Sequence, residues 1–165
     1  MNNRLPLTPS QTAGPYLHIG LTPDHAGLGL EKQSALGHVD AGDITVTGTI
    51  RDGKGEPVKD ALIEVWNGAD QWLRAVADPN TGRFTFRATR PIGPAPHLAL
   101  WIIARGINSG LHTRMYFPSE SVDDDAALAA LPESRRKTLI AKQREDMFHF
   151  DIHLQGDAET VFFDV

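Results

Sequence analysis

The chain has 165 residues, a net charge of −5, 41% hydrophobic residues and no cysteine. That is the length of one domain, able to bury roughly 70% of the surface of its unfolded chain, and its composition is that of a folded protein rather than a disordered one. The acidic balance argues against general nucleic-acid or anionic-membrane binding, and the missing cysteine excludes disulfide frameworks, thiol nucleophiles and thiolate metal sites.

The first sixteen residues hold one early Arg4 and no apolar stretch of a secretory signal. The longest apolar run, Leu98 to Ala104, is seven residues, and a membrane-spanning helix needs about 20. A cytoplasmic protein with no membrane and no nucleic-acid partner is the expectation. Residues 1–43 read as an irregular arm, with Pro6, Pro9, Pro15 and Pro23, six glycines and little periodicity. A structureless stretch that long is either a loosely ordered terminus or a functional, partner-binding arm.

Strand signals begin at Ile44. In ITVTGTI, Ile44, Val46 and Ile50 share one face and three threonines the other, the period of a half-buried strand. RDGKGEP supplies turn chemistry, and ALIEVW (61–66) is the next strand. QWLRAVA (71–77) reads as a short strand, DPNTG (78–82) as a turn, and RFTFRAT (83–89) as a strand with Phe84 and Phe86 inward. HLALWIIA (97–104) is apolar on both faces, as in a centrally buried strand, and LHTRMYF (111–117) follows. Asp123, Asp124 and Asp125 precede AALAAL and put acid at a helix N-terminus; Pro132 ends that stretch. SRRKTLIAKQ (134–143) is a second short helix or an irregular link. MFHFDIHL (147–154) alternates again, and the apolar tail TVFFDV must pack somewhere. The fold expected is all-β: a β-sandwich over 44–165, with an extended N-terminal arm over 1–43 and a short helical insertion.

Catalytic signals are sparse. His149 and His153 lie four residues apart on one strand, roughly 13 Å between Cα atoms, too far for one ion; with Asp151 they form an outward polar stripe. His18, His25 and His38 have no ligand spacing. His112 reads as an ordinary hydrogen-bonded histidine. No nucleophile elbow or phosphate loop occurs. Arg135, Arg136, Lys137, Lys142 and Arg144 form a basic cluster, either a solvated or subunit-contact face or an anion site. Arg105 stands at the end of HLALWIIA, just before Gly106. A guanidinium there either turns toward a cleft at the sandwich rim, where it suits a carboxylate or catecholate, or closes a structural ion pair.

Six segments resemble the intradiol ring-cleavage dioxygenases: TPSQTAGPY (8–16), GTIRDGKGEPVKDALIEVW (48–66), GRFTF (82–86), APHLALWIIARGINSGLHTRMYF (95–117), RRKTLIAK (135–142) and FDIHLQGDAETVFFDV (150–165). The strings ARGIN-x-x-LHTR-x-YF and QG-x-x-ETVFFD are the specific ones. The resemblance implies a β-sandwich in a hetero-oligomer of alpha and beta chains that cleaves an aromatic diol with O2. The cofactor it implies is Fe(III), held by the partner beta chain through two tyrosines and two histidines. This chain departs from that ligand pattern. NGADQW offers Trp72 at the first tyrosine, RPIGPAP holds no second one, and the H-x-H pair reads His97, Leu98, Ala99. Only Tyr16 and Tyr116 exist in the chain, and one imidazole does not hold a hard ferric ion.

What the resemblance leaves to this chain is a non-iron alpha role. No catalytic or metal-ligating residue belongs to it alone. Thr12, Gly14, Pro15, Tyr16 and Arg105 stand where alpha chains line the partner's substrate pocket. Two rivals remain at this point: a non-enzymatic, transthyretin-like β-sandwich binding module, and a stand-alone catechol-type enzyme that the missing tyrosines disfavour.

Overall fold

Alternating β-branched and aromatic residues build most of the structure. The computed structural model describes residues 11–29, 42–118 and 125–164. His38, Asp123 and Asp124 lie outside these residues, as do Pro6, Pro9 and Gly37 of the arm. Among the described residues nine strands form: β1 (Ile44–Arg51), β2 (Leu62–Trp66), β3 (Trp72–Val76), β4 (Arg83–Ala88), β5 (His97–Ile103), β6 (Leu111–Tyr116), β7 (Lys142–Arg144), β8 (Met147–His149) and β9 (Ile152–His153). One sheet has the order β4-β1-β8-β7 with β9 beside β1; the other runs β3-β2-β5-β6. The β-sandwich expected from the alternation is the one observed.

The core lies between the sheets. Val46, Ile50, Phe84, Phe86, Phe148 and Phe150 from the first meet Ile63, Val65, Leu98, Leu100, Ile102 and Met115 from the second. Gly48 lies in β1 where a Cβ would collide with the carbonyl of Phe150 and the ring of Phe84, so the bare backbone lets the closing segment cross close by. Turns follow the acidic residues: the Asp52 carboxylate accepts the N–H groups of Lys54 and Glu56, and Asp78 accepts those of Asn80 and Thr81.

Three features differ from the expectation. The arm contains a helix, α1 (Pro15–Leu21), capped by Gly14 with Pro15 at its first position, where a fixed φ and a missing N–H cost nothing. Seven residues are too few to show helical periodicity. The strand expected over 147–154 is two, β8 and β9, both parallel to β1. Phe150 between them donates its N–H to the Thr47 carbonyl, so the inward alternation survives the break. Third, β5 is central in its sheet but not covered on both faces: Trp101 remains 37% exposed.

The insertion forms α2 (Ala126–Ala129), α3 (Glu133–Arg136) and a 3₁₀ turn over Lys137–Leu139. Part of the basic cluster is structural: Arg136 donates to the carbonyls of Leu131 and Ala129. The tail packs, as its apolarity required. Val161 and Phe163 join Tyr116, Leu128 and Leu139 in a second small core.

Candidate functional site

Two regions bear on function: the rim at Arg105, and the outer face of the β3-β2-β5-β6 sheet. At the rim, the chain leaves β5 through Ala104 and turns at Gly106, whose φ of 88° is left-handed. The Gly106 N–H donates to the Thr12 hydroxyl at 2.8 Å, which brings the arm beside Arg105. Gly14 and Pro15 then start α1, and Tyr16 projects from it with 83% of its surface exposed. Arg105 Nη2 lies 2.8 Å from Asp60 Oδ2, with the arginine side chain 62% exposed and the aspartate 18%. Both sequence readings of Arg105 therefore describe the same residue. It closes an ion pair, and most of its side chain is still exposed.

Asp60 also anchors the arm. His18 Nε2 lies 2.8 Å from the Asp60 carbonyl and Nδ1 lies 3.0 Å from the Thr22 hydroxyl. A carbonyl only accepts, so Nε2 carries the proton. Burial pushes the His18 pKa below its ordinary 6.5 against the raising effect of that hydrogen bond. Beside Arg105 opens a cleft of about 680 Å³ lined by Val58, Ile107, Leu111 and Leu154 along with Asp60. The sequence reading missed both Asp60 and His18. The signals available were an Asp in a turn just before a strand and a His four residues from a Thr.

On the sheet's outer face, register fixes who is beside whom. Ala99 pairs with Trp66 on one side and Arg114 on the other, and Trp101 lies between Glu64 and His112. A cleft of about 370 Å³ opens there, walled by Trp66, Trp72 and Trp101 above His97, Ala99 and Arg114. His112 stacks on Trp101 with ring centroids 5.5 Å apart. This is where the H-x-H pattern falls, and the donor set does not fit Fe(III). His97 Nδ1 is 3.2 Å from the Ala95 carbonyl. Tyr116 donates to Asp125 at 2.7 Å, and burial pushes its hydroxyl up to about 12, so no phenolate is available. The Arg114 cation, 3.0 Å from the same carboxylate, repels a ferric ion further. Among the described residues no group of three His, Asp or Glu is placed to hold a metal.

Asp125 organises that corner. One oxygen accepts the N–H groups of Ala127 and Leu128 at the start of α2, and the other takes Tyr116 and Arg114. Burial pushes its pKa up, but these donors, Tyr116 foremost, hold the carboxyl below its ordinary 3.8. A depressed folded value means that the unfolded chain takes up the proton first. The stabilisation is complete above pH 3.8 and lost as pH falls through the lower folded value. Asp125→Asn keeps a good helix cap but not the charge. It is expected to cost about 1 kcal/mol at pH 7, the difference between charged and neutral hydrogen bonds. The gap between the urea midpoints of the two proteins should hold above pH 3.8 and shrink as the pH falls further; a gap that stays constant would show that the charge is irrelevant.

No family model matches the chain. Curated relatives do. The protocatechuate 3,4-dioxygenase alpha chain of Pseudomonas putida is 36% identical over 196 aligned positions, covering 97% of both chains. The corresponding alpha chain of Burkholderia cepacia is 34% identical, covering 96% of this chain and 97% of its own length. The beta chain from Burkholderia cepacia is 29% identical over 71% of this chain and 66% of its own length. An alignment of 196 positions exceeds a chain of 165 residues, so the Pseudomonas relative carries insertions that this chain lacks. Among solved structures, an intradiol ring-cleavage dioxygenase from Tetranychus urticae superposes with a TM-score of 0.56 at 15% identity, covering 71% of this chain and 83% of its own. With a sandwich fold and curated relatives 34–36% identical along almost its full length, the chain belongs to the protocatechuate 3,4-dioxygenase alpha-chain family of the intradiol dioxygenases.

Proposed function

We propose that this chain is the non-iron subunit of an alpha–beta protocatechuate 3,4-dioxygenase. It docks on an iron-bearing beta chain and completes the wall of that chain's pocket with Thr12, Gly14, Pro15, Tyr16 and Arg105. The assembly converts protocatechuate and O2 to 3-carboxy-cis,cis-muconate, opening the bond between the two hydroxyl-bearing carbons, with both oxygen atoms entering the product. Fe(III) belongs to the beta chain. What this chain supplies is shape and charge: an exposed aromatic on a fastened arm, and a cation at the rim suited to the carboxylate that protocatechuate carries. The reaction compartment is the cytoplasm.

One observation carries the reading: Thr12 is hydrogen-bonded to the residue after Arg105, so the arm and the rim cation present a single surface. The partly exposed Trp66 and Trp101 give the same molecule an apolar face of the kind that obligate interfaces cover. No helix among the described residues is long and apolar enough to cross a membrane.

Co-expression with a beta chain tests it. The expected result is a coloured complex with iron in stoichiometric amount and oxygen uptake on adding protocatechuate, while this chain alone is colourless and inert. Stoichiometric iron and turnover in this chain alone would establish a stand-alone enzyme. Failure to form a complex, with no turnover, would leave a binding module.

A further inference from the structure

We infer that Asp60 is a positioning residue that joins the arm and Arg105 into one rigid unit, its carboxylate aiming the guanidinium and its carbonyl holding α1 through His18. The inference rests on the functional reading above and names the group on which the two contributed elements depend.

Asp60 has an unusual backbone. Its φ is 51°, in the left-handed region that residues with a Cβ enter at a cost and that Asn and Asp tolerate best. Such strain persists where the surroundings over-determine it, and it clusters at functional positions. Here both polar ends of one residue are used by different elements. Oδ2 meets Arg105 Nη2 at 2.8 Å, and the carbonyl oxygen takes His18 Nε2 at 2.8 Å. Arg105 is followed by Gly106, which donates to Thr12. The contacts close a ring: Thr12, the start of α1, His18, Asp60, Arg105, Gly106 and Thr12 again. Ala61, next to Asp60, is fully buried, and its carbonyl accepts the Ala77 N–H, so the ring is built on the sandwich and not on a loop tip.

A guanidinium has five donors in a fixed plane. One is spent on Asp60, which leaves the outer edge for an anion approaching from the partner's side. A free arginine at this exposure would sample many rotamers, and ordering it at the moment of binding costs entropy. Asp60 removes that cost beforehand. The predicted signature is therefore a substrate-binding effect transmitted through Arg105.

The test uses the alpha–beta complex and steady-state kinetics with protocatechuate. Asp60→Asn deletes the charge while keeping the residue type most at ease with a left-handed φ, and Asp60→Gly deletes the side chain with no backbone penalty. Both are expected to assemble and to raise KM about tenfold with little change in kcat. In an Arg105→Ala background the same substitutions should add nothing, because the group they aim is gone. An equal loss with and without Arg105 would mark Asp60 as merely structural and overturn the inference. So would unchanged kinetics in D60N and D60G, or a lowered KM, which would mean that Asp60 competes with substrate for the arginine. If R105A itself is silent, the functional reading falls and takes this inference with it. If R105A is impaired while D60N and D60G are silent, only this inference falls.

Discussion

Arg74→Met is expected to destabilise the fold by about 3–5 kcal/mol, the range for stranding one charge of a buried pair. Arg74 Nε lies 2.8 Å from Glu64 Oε1, with side chains only 6% and 9% exposed. The two residues face each other across β2 and β3, on the outer side of the four-stranded sheet. The Arg74 guanidinium lies 4.9 Å from the Trp72 ring centroid, and Trp101 flanks Glu64 on the other side. The tryptophans thus screen the pair from water, which strengthens the attraction and raises the penalty for an unpaired carboxylate alike. The Glu64→Leu/Arg74→Met double variant removes both members of the pair and should recover most of the loss. Urea or thermal unfolding of the three proteins decides the matter. A single variant within about 0.5 kcal/mol of the parent would mean that water reaches Glu64. A double variant as weak as the single one would mean that the loss is packing and not charge.

That pair shows where sequence patterning was informative and where it stopped. The strands over 44–50, 61–66, 83–89 and 111–117 are visible because side-chain alternation is set by the pleat itself. ALIEVW and QWLRAVA also hold Glu64 and Arg74, but nothing in either string says that the two meet. Cross-strand register is a tertiary property. The apolar run HLALWIIA marked a central strand correctly, yet periodicity cannot tell a face covered by the same chain from one left for a partner. β8 and β9 read as one strand because Phe148, Phe150 and Ile152 keep pointing inward through the break. α1 escaped notice because it is seven residues long and is held by His18 and the turn at Asp60, not by its own propensity. The motif strings singled out Thr12, Gly14, Pro15, Tyr16 and Arg105 as candidates, and the fold brings Thr12 to Arg105's neighbour. The Asp60 keystone could not be read, since its left-handed backbone is a conformation and not a residue type.

Arg105→Ala in the assembled enzyme is expected to lower kcat/KM for protocatechuate by about thirtyfold or more. In the isolated chain the Arg105 side of the Arg105–Asp60 pair is 62% exposed, so the pair adds little to folding stability, as partly solvated ion pairs do. Docking changes its surroundings. A guanidinium at the wall of a closed pocket is desolvated, and removing one partner of a buried charged contact typically costs about 2–5 kcal/mol; the lower bound corresponds to roughly thirtyfold. The loss should appear mainly in KM, because a rim cation meets the substrate's carboxylate equally before and during ring opening. Arg105→Lys keeps the charge but not the planar fork, so it should fall between the two. A diol without the carboxylate should be nearly indifferent to either change, which ties the effect to charge recognition and separates it from loss of assembly. Sedimentation or gel filtration confirms that the complex persists. Wild-type kinetics in an intact R105A complex would place the arginine outside the pocket and reduce it to the strand-end ion pair.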